Sequence, residues 1–142
     1  MSGKTTILAV DDEPINVKLL EAHLIPEGYE IISASNGEEA IQKSSQHKID
    51  LVLLDLTMPR MDGFQACKVL RKDPKNSALP IVILTAKGKE SDIVAALENG
   101  ADDYIMKPFF KDELIKKVRD LLEKAKVGRL PSQDYFKKMG SK

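Results

Sequence analysis

Five short apolar runs alternate along this chain with five stretches of helical periodicity, and that alternation constrains the fold more than any other feature. The runs are Thr5 to Val10, Tyr29 to Ser35, Leu51 to Leu54, Pro80 to Thr85 and Tyr104 to Lys107. Short runs that are apolar throughout and bounded by turn residues read as strands buried on both faces, the kind found inside a parallel sheet. The second run alternates only partly, as expected of a strand at an edge. Between the runs, Ile15, Leu19, Leu20, His23 and Leu24 recur at helical spacing, and Pro14 suits the first turn of that helix. Pro26 and Gly28 stop it. Asn36 offers an N-cap to a second helix, Asp62 caps a third running to about Arg71, and Ile93, Val94 and Leu97 mark a fourth that closes at Asn99-Gly100. Leu114, Ile115, Val118, Leu121, Leu122 and Ala125 stripe a fifth. Strand and helix in strict alternation predict an α/β fold: a parallel sheet wrapped by helices on both faces through right-handed crossovers.

A chain of 142 residues accommodates one such domain without metal or disulfide staples. The division expected is residues 1–126 as the domain and 127–142 as a tail or linker stub, with Leu130, Tyr135, Phe136 and Met139 as its apolar anchors. With 22 Lys and Arg against 22 Asp and Glu the net charge is zero, which provides no electrostatic footprint for direct nucleic-acid binding. No leader or long apolar segment is evident, so neither membrane insertion nor secretion is expected, and the location expected is the cytoplasm. The single Cys67 reads as a small core residue. His23 reads as a core or boundary residue and His47 as solvated, neither having a metal-ligand partner at sensible spacing. Gly3-Lys4-Thr5 lacks the upstream strand and glycine of a phosphate-binding loop and reads as an N-terminal extension.

What the runs carry at their carboxyl ends is chemistry. Asp11 and Asp12 follow the first, Asp55 ends the third, Thr85 the fourth and Lys107 the fifth. In open α/β sheets ligands bind outside these strand ends. Carboxylates converging without His or Cys suit a hard divalent cation, with Mg²⁺ the natural occupant, and the cation relieves the repulsion that gathering them creates. A hydroxyl and an ammonium opposite can hold the oxygens of an anion. Cation on one side and ammonium on the other would neutralise a phosphoryl group in transit, and Asp55 between them is the candidate nucleophile, forming an acyl phosphate.

Val10-Asp11-Asp12, Leu54-Asp55 with Met58-Pro59 and Met61-Asp62-Gly63, Thr85-Ala86 and Lys107-Pro108-Phe109 occur in that order across residues 5–126. In these motifs the chain resembles the receiver domain of two-component response regulators of the chemotaxis-regulator type. The resemblance implies a flavodoxin-like sheet in the order 2-1-3-4-5 with five helices. It implies that a histidine kinase or phosphotransfer protein phosphorylates Asp55, and that Asp12, Asp55 and the Thr57 carbonyl bind Mg²⁺ directly while Asp11 helps through water. It implies further that Thr85 and Lys107 bind the phosphoryl oxygens, that Tyr104 is the switch aromatic, and that the Lys107-Pro108 bond is cis. The chain would catalyse its own phosphorylation and dephosphorylation and no other reaction. The readout would be a downstream protein or a fused output domain, and a phosphorylation-dependent homodimer fits the same scheme.

Phosphorylation adds about −1.5 to −2 charge and strong acceptor oxygens, which Thr85 and Lys107 reach by moving toward Asp55. Space vacated by Thr85 would let Tyr104 turn, changing the surface of the fourth helix, fifth strand and fifth helix. Thr57 and Lys87, two residues after Asp55 and Thr85, hold positions that tune phosphoryl lifetime in this family, and neither side chain is suited to positioning water, so slow or ordinary self-dephosphorylation is expected. Asp62 is read as a helix cap and not as part of the site. An aspartyl phosphatase of the haloacid-dehalogenase class would want a second aspartate where Thr57 stands. The remaining alternative is a degenerate receiver acting as a phosphorylation-independent scaffold, which the complete set of Asp12, Asp55, Thr85 and Lys107 disfavours.

Overall fold

The computed structural model describes residues 4–56, 63–86 and 90–132, with the side chain of Glu90 excepted. Five strands, β1 (Thr6–Val10), β2 (Glu30–Ala34), β3 (Leu51–Asp55), β4 (Ile81–Ala86) and β5 (Asp103–Lys107), alternate with α1 (Pro14–Leu24), α2 (Gly37–Gln46), α3 (Gly63–Lys72), α4 (Glu90–Glu98) and α5 (Lys111–Lys126). All four strand pairings are parallel, and the order is β2-β1-β3-β4-β5. This is the flavodoxin-like arrangement expected, and β2, the run with imperfect alternation, does lie at an edge.

Alternation along each strand splits the core in two. Leu8, Val10, Val52, Leu54, Ile81 and Ile83 pack with Ala40 of α2, with Ala66, Cys67 and Leu70 of α3 and with Ala96 of α4. Ile7, Ala9, Leu51, Leu53, Val82, Leu84 and Ile105 pack on the other face with Leu20 and Leu24 of α1 and Leu114, Ile115, Val118 and Leu121 of α5. Burial on both faces explains why β1, β3 and β4 are continuously apolar between their polar end residues Thr6, Asp55 and Thr85.

Several local signals act as their chemistry dictates. The Asn36 side chain accepts from the Glu39 amide at 2.8 Å, and the Glu39 carboxylate turns back to the Ser35 amide and hydroxyl, closing the entrance of α2. Gly28 and Gly100 have φ of 97° and 108°, the left-handed region that a glycine enters without strain. The Lys107-Pro108 peptide is cis. Each sheet edge is closed by a lysine from a flanking helix: Lys43 of α2 donates to the Ser33 carbonyl at 2.7 Å and Lys117 of α5 to the Tyr104 carbonyl at 2.6 Å. Edge strands otherwise present unpaired backbone groups to other chains.

Three expectations need correction or extension. On α1 the apolar spacing included Ile15 and Leu19, yet these are 70% and 44% exposed, and only Leu20 and Leu24 are buried. Val94 of α4 likewise faces outward, leaving Ile93 and Ala96 buried. A helix resting on one sheet face buries a narrower stripe than its apolar spacing suggests. Beyond α5, the chain turns at Gly128 (φ 69°), Leu130 is fully buried in the core beneath α1 and α5, and the Ser132 amide donates to the Asp102 carboxylate at 2.8 Å. Residues 127–132 therefore pack as part of the domain. Tyr135, Phe136 and Met139 lie outside the described residues, as do Gly3 and Asp62, the residue expected to cap α3.

Candidate phosphoryl-acceptor site

Register brings the acidic residues together. Val10 pairs with Leu54, so Asp11, one residue beyond, stands level with Asp55 on the neighbouring strand. Asp55 pairs with Leu84, and two residues after Leu84's own partner Ile105 comes Lys107, on the same side of the sheet. Alternation thus directs Asp11, Asp55 and Lys107 to one face at one edge of the sheet.

Side-chain geometry follows. Lys107 Nζ donates to Asp55 Oδ2 at 2.8 Å and to Asp11 Oδ2 at 3.3 Å. Asp11 is 2% exposed, and its Oδ1 accepts the Glu13 amide at 3.0 Å, which fixes the carboxylate at the mouth of the loop. Asp55 is 6% exposed, whereas Asp12 faces solvent. Each of the three aspartates offers an oxygen, and these oxygens lie within 4.8 Å of one another. An all-oxygen donor set with one solvent-facing member fits a hard divalent ion that keeps some of its water. Burial works against the Lys107 ammonium, but its hydrogen bond to Asp55 and the charges of Asp55 and Asp11 outweigh it, so its pKa is raised. The lysine stays charged throughout the neutral range.

Thr85 is buried at the end of β4, beside the strand that carries Asp55. Ile83 pairs with Tyr104 and Thr85 with Met106, so Thr85 and Tyr104 share the opposite sheet face, the one covered by α2, α3 and α4. The Tyr104 ring, partly buried, packs against that core. His23 lies at the boundary, its ring edge-on to Phe109 with centroids 6.3 Å apart, and His47 is exposed. Thr57 and Lys87 lie outside the described residues, with Met58, Pro59 and Met61.

Two features escaped sequence reasoning. A β-carbon at Gly63 would stand 2.5 Å from the Asp55 carbonyl oxygen and 2.6 Å from Leu56 Cα, so α3 begins against the backbone that carries Asp55. An Asp-Gly pair at a helix start does not reveal that approach. Asp102, 4% exposed, accepts from Arg71 at 3.0 Å, from the Ile81 amide at 2.9 Å and from the Ser132 amide, joining α3, β4 and the segment after α5. In sequence it is one of two adjacent aspartates before a strand.

A five-stranded sheet in this order, with an acidic cluster and a lysine meeting at its carboxyl edge, defines a class of signalling domain, and comparison with known proteins agrees. The response regulator receiver domain family matches residues 7–119, and the chain belongs to that family. Among its relatives are two Bacillus subtilis proteins. It is 43% identical over 127 residues to the alkaline phosphatase synthesis transcriptional regulatory protein PhoP, covering 89% of this chain and 52% of that one. It is 45% identical over 124 residues to the transcriptional regulatory protein ResD, covering 87% and 50%. The chain therefore spans about half the length of these curated relatives. Among solved structures, the chemotaxis protein CheY4 of Vibrio cholerae superposes with a TM-score of 0.80 at 28% identity, covering 84% of this chain and 99% of that one. A two-component response regulator from Clostridium difficile superposes with a TM-score of 0.78 at 35% identity, covering 84% and 97%.

Proposed function

We propose that this receiver domain accepts a phosphoryl group on Asp55 from the phosphohistidine of a histidine kinase or phosphotransfer protein, and that the modification alters the surface formed by α4, β5 and α5. The observation that carries the proposal is the position of Lys107 Nζ, 2.8 Å from Asp55 within the three-aspartate cluster. An Asp55 oxygen attacks phosphorus, the P–N bond of the phosphohistidine breaks, and the nitrogen leaves with the electron pair. Lys107, already charged and beside the nucleophile, offsets negative charge on the transferring oxygens. Thr85 offers a hydroxyl donor from the adjoining strand end. Asp11, Asp12 and Asp55 would hold Mg²⁺, joined by the Thr57 carbonyl as the family resemblance implies; when bound, the ion supplies charge neutralisation of carboxylates and phosphoryl oxygens.

Output follows from Thr85 and Tyr104 sharing a sheet face, since displacement of one opens room for the other. Full switching of such an equilibrium needs about 5.5 kcal/mol of differential stabilisation, within reach of a few charge-assisted contacts. Because PhoP and ResD are named transcriptional regulators and are about twice as long as the matched region, the readout proposed is a DNA-binding module distinct from this domain.

Incubation with acetyl phosphate and Mg²⁺ tests the chemistry. The wild-type chain gains one phosphoryl mass by intact mass spectrometry, and Asp55→Asn gains none. An unlabelled wild type, or a variant labelled equally, would overturn the proposal.

A further inference from the structure

Lys117 occupies the flank of α5, beside the buried stripe of Leu114, Val118 and Leu121. Its stem reaches around the β5 edge to the opposite sheet face. There Nζ donates to the Tyr104 carbonyl at 2.6 Å and to Asp103 Oδ1 at 3.3 Å, and lies 4.6 Å from the centre of the Tyr104 ring. Asp103 Oδ1 also accepts the Tyr104 amide at 2.8 Å. In a parallel strand the amide and carbonyl of one residue point to the same side, so an outward-turned residue of an edge strand has neither group in the ladder. At Tyr104 the Asp103–Lys117 pair satisfies both of them. The ammonium is thus anchored on backbone and on a carboxylate, and those anchors do not depend on the ring's orientation. Only the cation–π interaction does.

We infer that Lys117 is a positioning residue for the phosphorylation switch, holding the Tyr104 ring at the β5 edge and so biasing the domain toward its unphosphorylated state. The inference rests on the phosphoacceptor reading of Asp55 given above. A ring that turns from the edge toward Thr85 leaves an ammonium that cannot follow without giving up the Tyr104 carbonyl and Asp103. Breaking the cation–π interaction at this partly exposed site changes the equilibrium between the two orientations by roughly two- to fivefold. A bias of that size tunes the signalling threshold without preventing phosphorylation.

The test uses beryllium fluoride with Mg²⁺ as phosphoryl mimic, on protein carrying 3-fluorotyrosine and read by fluorine NMR at Tyr104. Lys117→Met keeps the apolar stem and removes the cation. In that variant the ligand-free ring population shifts toward the orientation seen with beryllofluoride, and half-saturation by the mimic falls about two- to fivefold. Lys117→Arg restores wild-type values. In a Tyr104→Leu background, Lys117→Met no longer changes affinity for the mimic. Persistence of the affinity change in that background would show that Lys117 acts through the backbone alone and would overturn the inference. So would a Lys117→Met protein whose ring population and affinity match a responsive wild type. A wild type that itself fails to respond to the mimic overturns the phosphoacceptor reading, and this inference with it.

Discussion

Cys67 sits on the inner face of α3, fully buried, with its Sγ donating to the Asn99 carbonyl at 3.5 Å. Burial pushes the thiol up to about 12, with the nearby Arg71 guanidinium opposing and the Asp102 carboxylate adding to the rise. In an unfolded chain a cysteine ionises near pH 8.5. Between these limits the unfolded state has released a proton that the folded state keeps, so stability present below the lower limit is lost as pH rises, by up to about 1.4 kcal/mol per unit. Denaturant unfolding of wild type and Cys67→Ala across pH 8 to 11 should give converging curves, the wild type losing stability faster. Parallel curves would show that the thiol does not titrate differently in the two states. The same chemistry makes this thiol a poor nucleophile, consistent with a packing role.

An element does its work here by where it starts. β3 delivers Asp55 at its last residue, and α3 begins at Gly63 against the backbone that β3 has just left, the Gly63 amide donating to the Leu56 carbonyl at 3.1 Å. Gly63 is required for space and not for an unusual φ, since the two nearest atoms a β-carbon would meet are backbone and cannot swing aside. Gly63→Ala should destabilise the fold by about 1–3 kcal/mol, the usual cost of forced overpacking, and slow acetyl phosphate labelling by displacing Asp55 relative to Lys107. Urea titration and labelling rate measure the two effects separately. A variant with wild-type values in both would mean that α3 does not press on β3 in solution.

At the scale of the molecule, the domain does not stop with its last regular helix. Leu130 is fully buried in the core cluster that α1 and α5 share with the sheet, while Ser132 is tied to the buried Asp102–Arg71 pair at the other end of the sheet from Asp55. Leu130→Ala should cost about 2–5 kcal/mol, as large-to-small changes in a core do, and removal of residues beyond Lys126 at least as much. Thermal unfolding of both variants measures this; midpoints equal to wild type would return the segment to the status of a linker. One consequence is that whatever follows this segment is joined to the domain near the start of β5, two residues from Tyr104.

Much of this architecture was legible in the chain because it rests on local rules. Alternation of continuous apolar runs with helical stripes leaves few options besides a wrapped parallel sheet, and parallel strands necessarily present their carboxyl ends at one edge. That is why the meeting of Asp11, Asp55 and Lys107 could be expected from the sequence alone. The other features depend on distances between elements. Ile15 and Leu19 have the spacing of buried residues but face solvent on the packed helix, and Leu130 looks like a linker residue until the fold buries it in the core it shares with α1 and α5. Lys117 is one of many charges on a helix, and only the edge position of β5 beside it gives its ammonium a carbonyl, a carboxylate and a ring to engage. Periodicity fixes direction within one element, whereas reach and fit between elements are properties of the packed molecule.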